Sequence, residues 1–382
     1  MSVSASRKLK ILQLCHDYKG PFPLICRQYC DAFSNADVTT IYLKGQASNI
    51  ITERTGGDKV IYLHSPSRSL RGVKFSLLCR LFVFFYRANF DIVIAHRYKP
   101  IYLAGVISFF YRSLLILGVV HEHNVFHRFT RASFLKFWRR GIHLIAVSRS
   151  VANNIAQAIP SIARDRRIHV LGHALSKDAK LLSRETAREM FGISSDYFIF
   201  GAVGRLIEKK RFDLLLIAFA AAEFDDNCVL VILGDGPQAS SLTDLAKSLG
   251  ILDQVFFVGH LDRAAQYYKA FDCFVMPSSE AEAFGVVLLE AMFARLPIIA
   301  SDAPGLDDVL CNVGIRFSGQ EELTRNLQRL YRLSSDQRSE LGFTARERLD
   351  QEFFIESFSK KLKQLPPMLA FSKVDFSPSE EF

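Results

Sequence analysis

Short runs of consecutive apolar residues alternate along the chain with longer segments whose apolar positions recur every three or four residues. Several runs, Leu114–Val120 and Cys228–Leu233 among them, carry no polar alternation, as expected of strands covered on both faces. The pattern predicts strands at Lys10–Cys15, Val38–Leu43, Ile92–Ala95, Leu114–Val120 and Ile142–Val147. It predicts a second series at Phe198–Val203, Cys228–Leu233, Val255–Val258, Cys273–Met276 and Pro297–Ala300. Helical spacing lies between them, at Leu24–Phe33, Phe212–Ala222, Gln238–Leu249 and Val286–Ala294. Repeated β–α alternation of this kind builds parallel, doubly wound α/β sheets.

The alternation starts twice, at Lys10 and at Phe198, and the polar stretch Ser176–Asp196 between them reads as a helical connector. Two Rossmann-like domains are therefore expected, at 1–175 and 176–350, facing each other across a cleft at the carboxyl ends of their strands, where ligands bind. A helix at 351–368 is expected to pack back on the first domain, followed by a flexible tail at 369–382. Pro100–Val120 has the length and apolar character of a membrane span, but Arg112 sits well inside it, where a charge is costly. It divides better into an amphipathic helix ending near Tyr111 and a buried strand. The first apolar run, Ile11–Cys15, is cut short by His16 and Asp17, too early for a signal-peptide core. A cytoplasmic location is expected.

Composition narrows the class. Of 382 residues, 49% are hydrophobic, 33 are Phe and only 23% are charged, which excludes a disordered chain and a disulfide-stapled miniprotein. The seven cysteines are scattered, with only Cys26 and Cys30 close together, so they read as buried thiols in a reducing compartment and not as a zinc site. The net charge of +9 conceals a split, +18 over residues 1–180 and −9 over the rest. Such asymmetry points to an anionic partner for the first half alone. Ser67–Phe90 mixes Arg68, Arg71, Lys74, Arg80 and Arg87 with aromatic residues, and Phe129–Arg140 repeats the style with Trp138, Arg139 and Arg140. These aromatic residues cluster within apolar runs instead of interleaving as stacking platforms, and no nucleic-acid motif appears. An anionic membrane surface is the expected partner, and nucleic acid is not.

Two motifs carry chemistry. In Pro277-Ser-Ser-Glu-Ala-Glu-Ala-Phe-Gly-Val-Val-Leu-Leu-Glu-Ala-Met292, Glu282 falls in a loop after a strand and Glu290 on the following helix. Carboxylates accept paired hydroxyls, which suits sugar or ribose diols, and the Gly285 and Val286 amides open a helix where phosphate oxygens bind. Glu290 is flanked by Leu288, Leu289, Ala291 and Met292, a costly setting for an idle carboxylate. In Gly204-Arg-Leu-Ile-Glu-Lys-Lys-Arg-Phe-Asp213, a glycine turn after a strand leads into four cations within seven positions, suited to a diphosphate. Two more strand ends are polar: His121-Glu-His-Asn124, and Asp91–Pro100 with His96, Arg97 and Lys99. No Asp-x-Asp pair follows a strand, and Gly234-Asp-Gly236 has one carboxylate, so metal independence is expected. No G-x-G-x-x-G follows the first strand, which sets aside a dinucleotide oxidoreductase.

Taken in order, Gly204-Arg205-Leu206 with Lys210, then Leu233-Gly-Asp-Gly-Pro237, then Glu282 and Glu290, resemble the retaining GT-B glycosyltransferases of the family-4 type, also called glycosyl transferases group 1. The resemblance covers roughly 195–310 and implies the GT-B fold. It implies that Arg205 and Lys210 hold the donor diphosphate and act in catalysis, that Glu290 binds the nucleotide ribose, and that Glu282 lies at the donor sugar. Phe284, Gly285 and Val286 match positions near the phosphates and the sugar. The first half is less similar: Gly20 alone stands where the family has a Gly-Gly loop, and either His121 or His123 takes the place of its histidine near the sugar, with His121 favoured. Arg211 replaces a glycine common after the family's lysine, which makes that loop more basic and stiffer. The implied activity is hexosyl transfer with retention, from a nucleotide-diphosphate sugar (UDP before GDP) to a lipid-linked or glycan acceptor. Lipopolysaccharide core and polyprenyl-linked glycans would fit, with the enzyme peripheral at the inner face of the membrane. An epimerase or hydrolase of the same fold is the alternative, and a basic nucleic-acid-binding protein a weaker one.

Overall fold

The computed structural model describes residues 7–66, 75–111, 114–138 and 141–375. Arg68, Arg71, Lys74, Arg112, Arg139, Arg140 and the end of the expected tail, 376–382, lie outside them. The chain forms two compact units, one of Met1–His173 with Ile355–Phe382 and one of Ala174–Phe354.

The first unit holds seven strands: β1 Lys10–Cys15, β2 Asp37–Tyr42, β3 Lys59–Tyr62, β4 Ile92–His96, β5 Leu115–Val120, β6 Ile142–Ala146 and β7 Ile168–Val170. They form one parallel sheet in the order β3-β2-β1-β4-β5-β6-β7. Central β1 sets Ile11 between Val38 and Ile92, and every residue of β5 is buried, which explains the unbroken apolar run of its sequence. The helix Ile355–Lys363 completes this unit: Phe358 meets Tyr29 edge to face with ring centroids 5.1 Å apart, and Ser359 Oγ donates to Ala32 O at 3.1 Å.

The second unit holds β8 Phe198–Val203, β9 Cys228–Leu233, β10 Val255–Gly259, β11 Cys273–Met276, β12 Ile298–Ser301 and β13 Ile315–Phe317. They form a parallel sheet in the order β10-β9-β8-β11-β12-β13. Its core is rich in phenylalanine, with Phe200, Phe212 and Phe219 buried against Leu230, Ile232 and Leu242. Each such side chain contributes about 2–3 kcal/mol by leaving water.

Both sheets reverse their strand order once, between β1 and β4 and between β8 and β11. At such a switch point the loops leaving the two strands part, and a crevice opens at their carboxyl ends. The loops at these points begin at His16 and Arg97 in one unit and at Gly204 and Pro277 in the other.

The sequence pattern misses β3, β7 and β13. All three lie at sheet edges, where one side is uncovered, and each is short with a polar residue inside or at its end (Lys59, His169, Arg316). Ser176–Asp196 is helical only at Arg184–Glu189, with Ser183 capping through Thr186 N. Arg188 in this segment is buried: it donates to Asp272 and to the carbonyls of Ala270, Ser194, Ser195 and Tyr197. The apolar stretch 100–120 resolves into the helix Tyr98–Ser108 and strand β5. Among the described residues no helix is long and apolar enough to cross a membrane.

Candidate active site

In the second unit the cationic loop after β8 and the carboxylate loop after β11 are joined. Ser279 N donates to Lys209 O at 2.8 Å, and Lys210 Nζ lies 2.7 Å from Glu282 Oε2. Burial alone would raise the Glu282 pKa, but the attraction of Lys210, its hydrogen bond and the charge of Lys209 together hold it below the usual carboxylate value. The loop after β9 braces the cationic loop from behind. Gly204 N donates to Leu233 O and Leu206 N to Asp235 O, both at 3.0 Å. Gly234 makes this possible: with φ at 148°, any Cβ there would fall 1.8 Å from Gly204 O. Arg205 is exposed and has no side-chain hydrogen bond or ion pair among the described residues.

Gly285 takes φ 81° and ψ 64° and turns the chain into the helix Val286–Phe293, so Val286 is its first residue. A Cβ at Gly285 would also press on Met276 and Leu306 at 2.9–3.0 Å. No acid stands in the first turn of that helix, leaving its positive end available to an anion. The ring of Phe284 is buried and meets Phe353 edge-on, so it offers the site only its main chain.

Glu290 sits apart from the Lys210–Glu282 pair in its bonding. It accepts from Tyr268 Oη at 2.8 Å, and burial pushes its pKa up to about 7, with the tyrosine hydrogen bond partly offsetting the rise. Tyr268 is fully buried on the 3-10 segment Ala264–Ala270. Nothing in the sequence marks it, since a lone tyrosine in a mixed segment carries no motif.

In the first unit His121 and His123 have different surroundings. His121 Nε2 lies 3.3 Å from His96 Nδ1, and its ring stacks on His173 at 5.4 Å with planes 3° apart. Burial, then the neighbouring His173, His96 and Arg97, push its pKa well below the ordinary value, so the imidazole is neutral near pH 7. His121 lines a pocket of about 230 Å³ together with His16, Arg97 and Lys99. His123 is outside that lining and pairs with Ser150 Oγ at 3.0 Å. Gly20 is exposed with φ at 67°, in open space before the helix Phe22–Ala32. Deeper in the unit, the buried Cys15, Cys26 and His96 bring their ligand atoms within 4.8 Å of one another, with burial as the main cause raising the Cys15 thiol pKa.

Residues 183–348 match the family described as glycosyl transferases group 1. The N-acetyl-alpha-D-glucosaminyl L-malate synthase of Bacillus anthracis is 32% identical over 157 residues, 37% of this chain and 41% of that protein. The alpha-monoglucosyldiacylglycerol synthase of Streptococcus pneumoniae is 29% identical over 168 residues, 42% of this chain and 38% of its own. The matched stretch thus spans about two fifths of these relatives' length. The crystal structure of HepE from Anabaena, in complex with UDP, is similar over 93% of this chain and 99% of its own, with a TM-score of 0.79 at 18% identity. The fold is that of the GT-B glycosyltransferases.

Proposed function

We propose that the protein is a glycosyltransferase that moves a sugar from a nucleotide-diphosphate donor, a UDP-sugar in the first place, to a lipid-linked or glycan acceptor, with retention and without a metal. The observation that carries this reading is the junction of the two strand-end loops at Lys210 and Glu282, inside the segment that matches the family. The relative that binds UDP in its crystal structure supports the nucleotide.

In this mechanism the bond between the sugar's anomeric carbon and the donor phosphate oxygen breaks through an oxocarbenium-like state. The acceptor hydroxyl forms the new bond and passes its proton to the departing phosphate. Negative charge grows on the diphosphate as the bond breaks, and cations already in position there lower the barrier. Arg205, Lys210 and the start of the helix Val286–Phe293 are suited to that role. Glu282, ionised beside Lys210, suits the sugar hydroxyls, Glu290 the ribose diol, and neutral His121 a sugar hydroxyl.

A membrane-borne acceptor draws support from the surface of the first unit. Rings from three segments run together there: Phe82 meets Phe110 at 5.2 Å, Phe110 meets Phe109 at 5.5 Å, and Phe109 meets Trp138 at 6.0 Å. Phe109, Phe110 and the nearby Phe137 in the chain are largely exposed. Aromatic side chains flanked by cations such as Arg80, Arg87 and Lys136 favour an anionic membrane interface, each nearby cation adding about 1 kcal/mol.

Thermal-shift titration with UDP-, GDP- and ADP-sugars, followed by product analysis with a chelator present, tests the reading. UDP-sugars are expected to raise Tm, and transfer to survive the chelator. Turnover of the donor that yields only free or epimerised sugar would favour the alternative chemistry.

A further inference from the structure

The pocket of the first unit is cationic. Arg97, Lys99 and Arg131 contribute to its wall against a single lining carboxylate, Glu122. Its second source of positive potential is the helix Tyr98–Ser108, which starts at the wall with no side-chain cap and no acid in its first turn.

Arg97 shows that the fold invests in this arrangement. Its backbone takes φ 72° and ψ 165°, a region that is essentially glycine's, and such strain persists only where the surroundings impose it. The guanidinium is held from two sides, with Cζ 4.0 Å from the centre of the Phe22 ring and Nη1 3.6 Å from Asp17. Asp17 stays ionised, its pKa lowered to about 2, because its bonds to His16 and Lys19 N and the charge of Arg97 outweigh its burial. With Nη1 so engaged, the Nε of Arg97 is buried and has no partner. Arg131 is likewise oriented: Nη1 donates to Val125 O at 3.0 Å, and its guanidinium lies over Tyr98 at 4.8 Å. An unpaired buried donor among cations is a standing cost that an anionic ligand removes.

We infer that this pocket binds an acidic group, a phosphate ester, carried by the acceptor. Its role as an acceptor site rests on the glycosyl-transfer reading, whereas the anion site itself stands on the geometry of the first unit. The shared chemistry is a phosphate ester, whether in a soluble metabolite or in a lipid headgroup.

The test uses the full chain saturated with UDP, which occupies the diphosphate-binding cations of the second unit. Calorimetric titration is expected to show binding of glycerol 3-phosphate and none of glycerol. Arg97→Gly, which frees the backbone from its strain, and Arg131→Met, which keeps an apolar stem on Tyr98, should each weaken glycerol 3-phosphate at least tenfold. Both should melt cooperatively as folded proteins and retain the wild-type UDP affinity. In parallel, retention on phosphatidylglycerol vesicles is compared with retention on phosphatidylcholine. Loss of retention in Arg131→Met assigns the phosphate to lipid, and unchanged retention assigns it to a soluble ester. Wild-type affinity for glycerol 3-phosphate in both variants, or none in the wild type, overturns the inference. Failure of the donor reading shows separately, as absence of UDP binding.

Discussion

Lys210 and Glu282, 72 positions apart in sequence, form an ion pair of 2.7 Å whose two side chains are largely closed to water. Breaking such a pair from one side leaves an uncompensated charge, at a cost of about 3–5 kcal/mol when fully buried. Lys210→Ala is therefore expected to lose both sugar transfer, by about a hundredfold or more, and stability. Adding Glu282→Gln should recover most of the lost Tm but none of the transfer. Calorimetry and a transfer assay on the single and double variants separate the two effects. Wild-type rates in Lys210→Ala would show that the diphosphate lies elsewhere.

Glu290 makes stability depend on pH. Its carboxyl titrates at about 7 in the folded protein against an ordinary 4.5, so between these values the folded state binds more protons than the unfolded state. Stability consequently falls as pH rises through that window. Glu290→Gln, neutral throughout and still able to accept from Tyr268, should remove this slope. Its advantage over the wild type should grow with pH to about 3 kcal/mol above the window. The donor KM is expected to fall in the wild type as pH rises through about 7, and to be flat and high in the variant. Urea melts and initial rates across the range check both.

Arg211 stands at φ 50° and ψ 40°, the left-handed region, where the family commonly has glycine. The conformation costs a non-glycine residue about 1–2 kcal/mol, and glycine gives back about half of that through its freer unfolded chain. The Arg211–Asp213 contact at 3.3 Å is exposed and adds little. Arg211→Gly should raise stability by about 0.5–1 kcal/mol with transfer retained, as measured by denaturant midpoint.

Arg188 binds Asp272 at 2.7 Å, and Asp272 also accepts from Ile199 N at the start of β8. Replacing Arg188 by Met leaves Asp272 with Arg184 as its one side-chain partner among the described residues, and removes four hydrogen bonds to carbonyls. A loss of about 3–5 kcal/mol is expected, read from chemical denaturation. A loss below about 1 kcal/mol would mean that the buried guanidinium is dispensable.

The exposed ring cluster gives a vesicle test. Phe109→Ser with Phe137→Ser should reduce retention on phosphatidylglycerol vesicles severalfold while leaving UDP binding unchanged. Equal retention would place membrane contact elsewhere.

The amino-acid sequence by itself determined the β–α alternation, the central strands and the two motifs at Gly204–Asp213 and Pro277–Met292. These depend on local propensity and on burial along a single run, as in the fully buried β5 and β9. It could not announce the edge strands β3, β7 and β13, whose half-covered faces leave no unbroken apolar run. Nor could it reveal that Arg188 is buried, that Tyr268 holds Glu290, or that Arg97 is strained over Phe22. Each of those facts depends on a partner far away in sequence, and only folding brings the two together. His121 and His123 looked alike at one strand end, and the neighbours supplied by β4 and by the helix Arg149–Ala158 made them different. The residue types came from the chain, whereas their charge states and roles came from burial and contact, which are properties of the packed units.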